Sequence, residues 1–270
     1  MARIELRMTA LLAAGCLLAA GCLLGACSTA GVNGPARSSA VIQVAAAENF
    51  WGSIAAQVGG RHVHVVSIIT NPNTDPHSYE PTAVDARIFA GAQLVIENGI
   101  GYDPWAAQLL AADYSRLDPA NHAYFARRQA LFTSAGLRKY FSLIATIRAS
   151  YRGTPVGASE SIFAMLAPAL GLKLLTPYSF LRAISEGTEV SAADKQAIDN
   201  QISHHLIKIY VYNSQNLTPD VQVQLAAAKA AHIPVATITE TLTPPTDTYQ
   251  AWQVRQLDGI EAALARAGGR

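Results

Sequence analysis

Beyond position 27 the chain contains no cysteine; its three lie at Cys16, Cys22 and Cys27. Disulfides and thiolate metal sites are therefore excluded downstream, and any metal there must be held by His, Asp or Glu. Charge is scarce and balanced, 20 Lys and Arg against 19 Asp and Glu. Without a basic stripe, nucleic acid is not an expected partner. Gly-x-Gly-x-x-Gly, Gly-x-Ser-x-Gly and His-x-x-x-His are all missing, as is a catalytic cysteine, which argues against an enzyme. Heptads and solenoid repeats are missing too.

What is present begins with a targeting segment. Arg3 and Arg7 precede a run of Leu, Ala, Gly and Cys over 8–24, short for a membrane span of about 20 apolar residues. Leu24-Gly25-Ala26-Cys27 resembles a bacterial lipobox, in which the cysteine carries the lipid and becomes the first mature residue. Cys22 fits less well because Ala19 stands in place of Leu, and an ordinary cleaved signal peptide is the alternative. Residues 1–26 read as the lipoprotein signal peptide, and 27–40, broken by Gly and Pro, as a flexible tether. The expected location is outside the cytoplasm, lipid-anchored to the cell membrane.

Half of the residues are apolar, and about 230 mature residues allow one large domain or two lobes of roughly 100 each. Strand-like runs at 41–46, 63–69 and 93–98 alternate with helical patterns at 49–59 and 83–90. A glycine-rich turn at 99–105 leads into a further helix. Asp118-Pro119 then reads as a helix start, with apolar residues at helical spacing as far as Ile147. That helix would be about 45 Å long if continuous, and Gly136 weakens it by about 1 kcal/mol relative to Ala. Alternation resumes with strands at 154–158, 173–175, 207–212 and 235–238, and helices at 161–170, from 191, where Asp194 stands at capping-box spacing from Ser191, at 219–231 and at 248–267. The fold class is α/β: two parallel-sheet lobes, N-terminal 41–113 and C-terminal 152–270, joined by a spine helix, 114–151.

Candidate ligands come from the strand ends, where open α/β sheets bind ligands. Residues 71–81, Asn-Pro-Asn-Thr-Asp-Pro-His-Ser-Tyr-Glu-Pro, form a stiff loop that presents His77. It reads either as a ligand platform or as a turn whose His caps the next helix. Glu160 and Glu240 each lie just past a strand, as metal ligands or as ordinary acids near helix N-termini. One imidazole and two carboxylates suit Mn²⁺, Fe²⁺ or Zn²⁺. The other histidines read as structural: His62 and His64 on a strand, His122 in a first turn, His204 and His205 in a turn, and His232 as a helix C-cap.

The segments Asp75-Pro76-His77-Ser78-Tyr79-Glu80-Pro81, residues 92–99 and Asp118-Pro119-Ala120-Asn121 resemble the zinc/manganese-type solute-binding proteins of bacterial metal ABC transporters. Gly157-Ala158-Ser159-Glu160, Val211-Tyr212-Asn213-Ser214-Gln215 and Ile238-Thr239-Glu240-Thr241 fit the same family. The resemblance implies a metal cleft between the lobes, with His77, Glu160 and Glu240 at the first, third and fourth ligand positions. The cargo would be Zn²⁺ or Mn²⁺, with Fe²⁺ a further option, and the partner a membrane permease of an ABC importer served by a monomer. The second ligand segment of relatives would fall between Asp113 and Tyr114, and it is missing here, which shortens the first lobe. A surface adhesin of the same fold without tight metal binding is the alternative.

Overall fold

A computed structural model describes residues 41–72, 74, 76, 79–96 and 106–268, with backbone alone at 106–111. The signal peptide, Cys27, the tether, His77 and the 99–105 turn lie outside the described residues. In the first lobe, strands β1 (Ile42–Glu48), β2 (Val63–Ile69) and β3 (Leu94–Ile96) form a parallel sheet in the order β2-β1-β3. In the second, β4 (Pro155–Ala158), β5 (Lys173–Leu174), β6 (Ile209–Asn213) and β7 (Val235–Ile238) form a parallel sheet in the order β5-β4-β6-β7. The two-lobe α/β expectation holds.

Helices α1 (Asn49–Gly59) and α2 (Ala83–Gly91) follow the first two strands. Helix α3 (Ala106–Leu117) runs through Asp113 and Tyr114 without a break. Tyr114 is fully buried in the first-lobe core, and its hydroxyl donates to the Ala55 carbonyl. The seam expected from sequence is thus a packed helix.

The spine is less regular than its apolar spacing suggests. A 3₁₀ turn (Pro119–Asn121) leads into α4 (His122–Leu131), a π segment (Phe132–Gly136) and α5 (Arg138–Tyr151). Leu137 N–H reaches back to the Phe132 carbonyl, and the Thr133 and Ser134 hydroxyls bond carbonyls of the preceding turn. Those hydroxyls, with Gly136 at its end, stabilise the wider turn. Phe125, Phe132 and Leu137 enter the first core, whereas Ile147 enters the second.

Beyond the spine come α6 (Leu166–Ala169), α7 (Tyr178–Ser185), α8 (Ala192–Ser203), α9 (Pro219–Ala230) and α10 (Tyr249–Ala267). The helix expected over 161–170 is a 3₁₀ turn followed by short α6, which contains Pro168. Sequence patterning leaves α7 unassigned, although Phe180, Leu181 and Ile184 are buried. Ser191 caps α8 through the Asp194 amide, as expected. His232 takes φ 53° after α9, the left-handed position expected of a C-cap.

Helix α10 braces both lobes. Trp252 stacks on Phe50 of α1 at 5.8 Å and donates its indole N–H to Thr239 Oγ1 at 2.8 Å. Leu257, Ile260 and Leu264 fill the second core. Three polar residues of α1 at a spacing of four, Asn49, Ser53 and Gln57, bond Leu242, Tyr249 and Gln250. Positions four apart share a helix face, so one stripe of α1 fastens the stretch that follows β7.

At the far end of the 70–82 loop, Thr82 and Asp85 form a capping box on α2, and the Tyr79 hydroxyl donates to the Asp85 carboxylate at 2.8 Å. The Asp85 carboxyl is held below the usual carboxylate range, first by the Thr82 backbone N–H, then by the Thr82 hydroxyl and Tyr79. A lowered folded value adds stability above the unfolded pKa of about 3.9 and loses it as pH falls through the folded value.

Two outcomes are expected. Trp252→Ala should cost about 3–5 kcal/mol and lower Tm by roughly 10 °C; an unchanged Tm in calorimetry would contradict the bracing role. Asp85→Asn should lower Tm at neutral pH, with the gap to wild type closing below about pH 3. A gap constant across pH would show that the Asp85 charge is irrelevant to the cap.

Candidate metal centre

The parallel order β4-β6-β7 brings three strand ends to one edge of the second sheet, with Ala158 beside Val211 and Asn213 beside Ile238. Past these ends lie Ser159 and Glu160, then Ser214 to Asn216, then Thr239 to Thr241. Side chains extend the backbone ladder there: Asn213 N–H donates to Ser159 Oγ at 3.0 Å. Glu160 is 1% exposed and Glu240 7% exposed.

Asn213, fully buried at the end of β6, stands between the two carboxylates. Its Nδ2 donates to Glu160 Oε2 at 2.6 Å and to Glu240 Oε1 at 2.5 Å. Its Oδ1 accepts from Gln215 N–H at 2.9 Å, which fixes the amide orientation. Asn216 Nδ2 donates to Glu160 Oε1 at 3.1 Å and to the Ile184 carbonyl at 3.2 Å. Gln215 Oε1 accepts from the backbone N–H of Glu240 and Thr241. Amide donors to ionised carboxylates make short, strong bonds, yet they carry no net positive charge. Two acids withdrawn from water are thus gathered around one neutral amide.

Glu160 stands at the N-cap position of a three-residue 3₁₀ turn but makes no side-chain capping bond there. Glu240 lies nine residues before α10, which Thr248 caps. Helix α2 is capped by Thr82. The position of His77 itself lies outside the described residues. On its two sides, the Pro72 carbonyl accepts from Gln215 Nε2 at 2.5 Å, and Tyr79 is tied to Asp85.

The remaining histidines have other settings. His62 sits in a 3₁₀ turn rather than on β2, packed against Tyr124 and Phe125, with Nδ1 3.5 Å from Asp118. His64 is exposed and pairs with Gln43, while His122 pairs with Ser115. His204 bonds the Asn200 carbonyl, and His205 takes φ 52° after α8. Among the described residues, no group of three or more His, Cys, Asp or Glu is placed to hold a metal ion.

Sequence reasoning missed the roles of Asn213, Gln215 and Asn216. Their signal was position: polar residues directly beyond a buried strand, between two strand-end acids. Glu48, the last residue of β1 and 8% exposed, is a further buried acid at a strand end.

The family described as Zinc-uptake complex component A periplasmic matches this chain over residues 44–115 and 106–263, two pieces that overlap in α3. The chain is also 36% identical over 55 residues to a putative metal-binding protein of Treponema pallidum (strain Nichols). That stretch is 20% of this chain and spans only 17% of the relative's length. Among solved structures, it is similar to a Mn-bound mutant of the periplasmic metal binding protein from candidatus liberibacter asiaticus. That match has a TM-score of 0.68 and 17% identity over 82% of this chain and 98% of the other. It is similar to the laminin-binding adhesin Lmb from Streptococcus agalactiae, with TM-score 0.65, 16% identity and coverage of 83% and 99%. The Ni²⁺ complex of the solute-binding protein FpvC from P. aeruginosa gives TM-score 0.62, 16% identity and coverage of 85% and 98%. No helix among the described residues is long and apolar enough to cross a membrane. With most of its length matched, from β1 to α10, the chain belongs to the periplasmic zinc-uptake component A family and has the two-lobe fold of metal-binding solute-binding proteins.

Proposed function

We propose that this protein is an extracytoplasmic solute-binding protein, lipid-anchored through Cys27, that captures a divalent metal ion and delivers it to an ABC import permease. The observation that carries the reading is the pair of buried carboxylates, Glu160 and Glu240, gathered on one Asn213 amide. His77 joins them from the first lobe as the third ligand. Relatives of the same fold support the class of cargo, since their structures hold Mn²⁺, Ni²⁺ and Cd²⁺.

The ligand set leans toward hard cations. Carboxylate oxygens suit Mn²⁺, whereas intrinsic affinity favours Zn²⁺ at the same site. The two-piece family match supports a missing segment near residues 106–115. With the second imidazole lost, water completes the shell and affinity falls below that of a four-ligand site. An adhesin that keeps the fold without tight metal binding is the second reading, favoured by that loss of a ligand. Titration separates the two.

Metal-stripped protein titrated with Zn²⁺ and Mn²⁺ should show one saturable site with Kd below about 100 μM. His77→Ala, Glu160→Gln and Glu240→Gln should each weaken it at least about tenfold. No saturation, or binding indifferent to His77→Ala, would leave the adhesin reading. Asn213→Ala should destabilise the metal-free protein by about 1.5–3 kcal/mol, because it removes an amide donor shared by two buried carboxyl groups. Saturating metal should shrink that loss. A loss of equal size with and without metal, in denaturant melts, would separate Asn213 from the binding site.

A further inference from the structure

One amide side chain touches both the loop that carries His77 and the loop that carries Glu240. Gln215 lies two residues past β6, and both ends of its side chain are committed. Oε1 accepts from Glu240 N–H at 2.6 Å and from Thr241 N–H at 2.9 Å. Nε2 donates to Thr241 Oγ1 at 2.6 Å and to the Pro72 carbonyl at 2.5 Å. Pro72 follows β2 in the first lobe, whereas Gln215 and Glu240 belong to the second. The stripe on α1 is a different contact between the lobes, since Asn49, Ser53 and Gln57 bond Leu242, Tyr249 and Gln250.

We propose that Gln215 is a positioning residue, a latch between the lobes that holds the 70–82 loop against the Glu240 loop and sets how long the ion stays bound. This rests on the metal-binding reading above. The two ends of the loop are tied to different bodies: Pro72 to Gln215 in the second lobe, Tyr79 to Asp85 in its own. His77 lies between these anchors in a chain stiffened by Pro72, Pro76 and Pro81. Oε1 meanwhile fixes the backbone from which the Glu240 carboxylate projects. The same planar amide therefore references a first-lobe ligand loop to a second-lobe ligand. Loss of the Nε2 bond frees the loop, and the ion can then leave without the rest of the fold opening.

Two substitutions separate the two ends of the side chain. Gln215→Glu keeps an oxygen for the Glu240 and Thr241 amides but removes the donor to Pro72; Gln215→Met removes both. A Tm within about 4 °C of wild type shows that a variant is folded. In metal-free protein, hydrogen exchange over 70–82 should quicken about tenfold in Gln215→Glu, while the Glu240 and Thr241 amides stay protected. In Gln215→Met both regions should quicken. Chelator-driven release of Mn²⁺ from Gln215→Met should be about tenfold faster, with association within about twofold of wild type. Unchanged loop exchange in Gln215→Glu overturns the latch, whatever the metal does. Faster exchange with unchanged Mn²⁺ release overturns its control of retention. Failure of wild type to bind Mn²⁺ or Zn²⁺ overturns the cargo reading and retention with it, while loop exchange still decides the latch.

Discussion

Two acids share one amide at the sheet edge, and the rest of the structure is arranged around tolerating them. Glu160 and Glu240 are nearly withdrawn from water, and the Asn213 Nδ2 protons reach both. Neutral amide donors offset part of the cost of withdrawing these carboxyl groups from water. That cost explains why so much amide chemistry surrounds the edge, since Asn216 and Gln215 hold the same two loops from outside.

The fold supplies this edge by putting the parallel strands β4, β6 and β7 side by side, so that their carboxyl ends come together. Two helical elements keep the lobes from drifting apart. The spine contributes Phe125, Phe132 and Leu137 to the first core and Ile147 to the second, and α10 likewise gives Trp252 to the first and Leu257, Ile260 and Leu264 to the second. Trp252 stands where the two tasks meet: its ring packs on α1 and its N–H reaches Thr239, next to Glu240. A stability element is thereby also a site element.

Much of the architecture was legible in the residues. β-Branched runs located the strands, Ser191 with Asp194 marked a helix start, and His232 stood where a helix ends in a left-handed residue. Glu160 and Glu240 could be picked out because each follows a strand. Asn213 could not be assigned its role in that way. It holds both acids only because β6 lies between β4 and β7, and that neighbour relation is non-local. Helix α7 escaped because its eight residues make barely two turns, too few for a helical period to stand out. The spine was read as one rod because apolar spacing alone is indifferent to hydroxyls that bond back to the previous turn.

The most direct test of the central claim is a crystal structure of the Mn²⁺-loaded protein with anomalous scattering at the manganese edge. The account predicts one anomalous peak between the Glu160 and Glu240 carboxylates, about 2.2 Å from their oxygens and from a His77 nitrogen, with Asn213 Nδ2 no longer bridging both acids. A peak elsewhere, or an undisturbed Asn213 bridge in crystals shown to contain stoichiometric manganese, would contradict it.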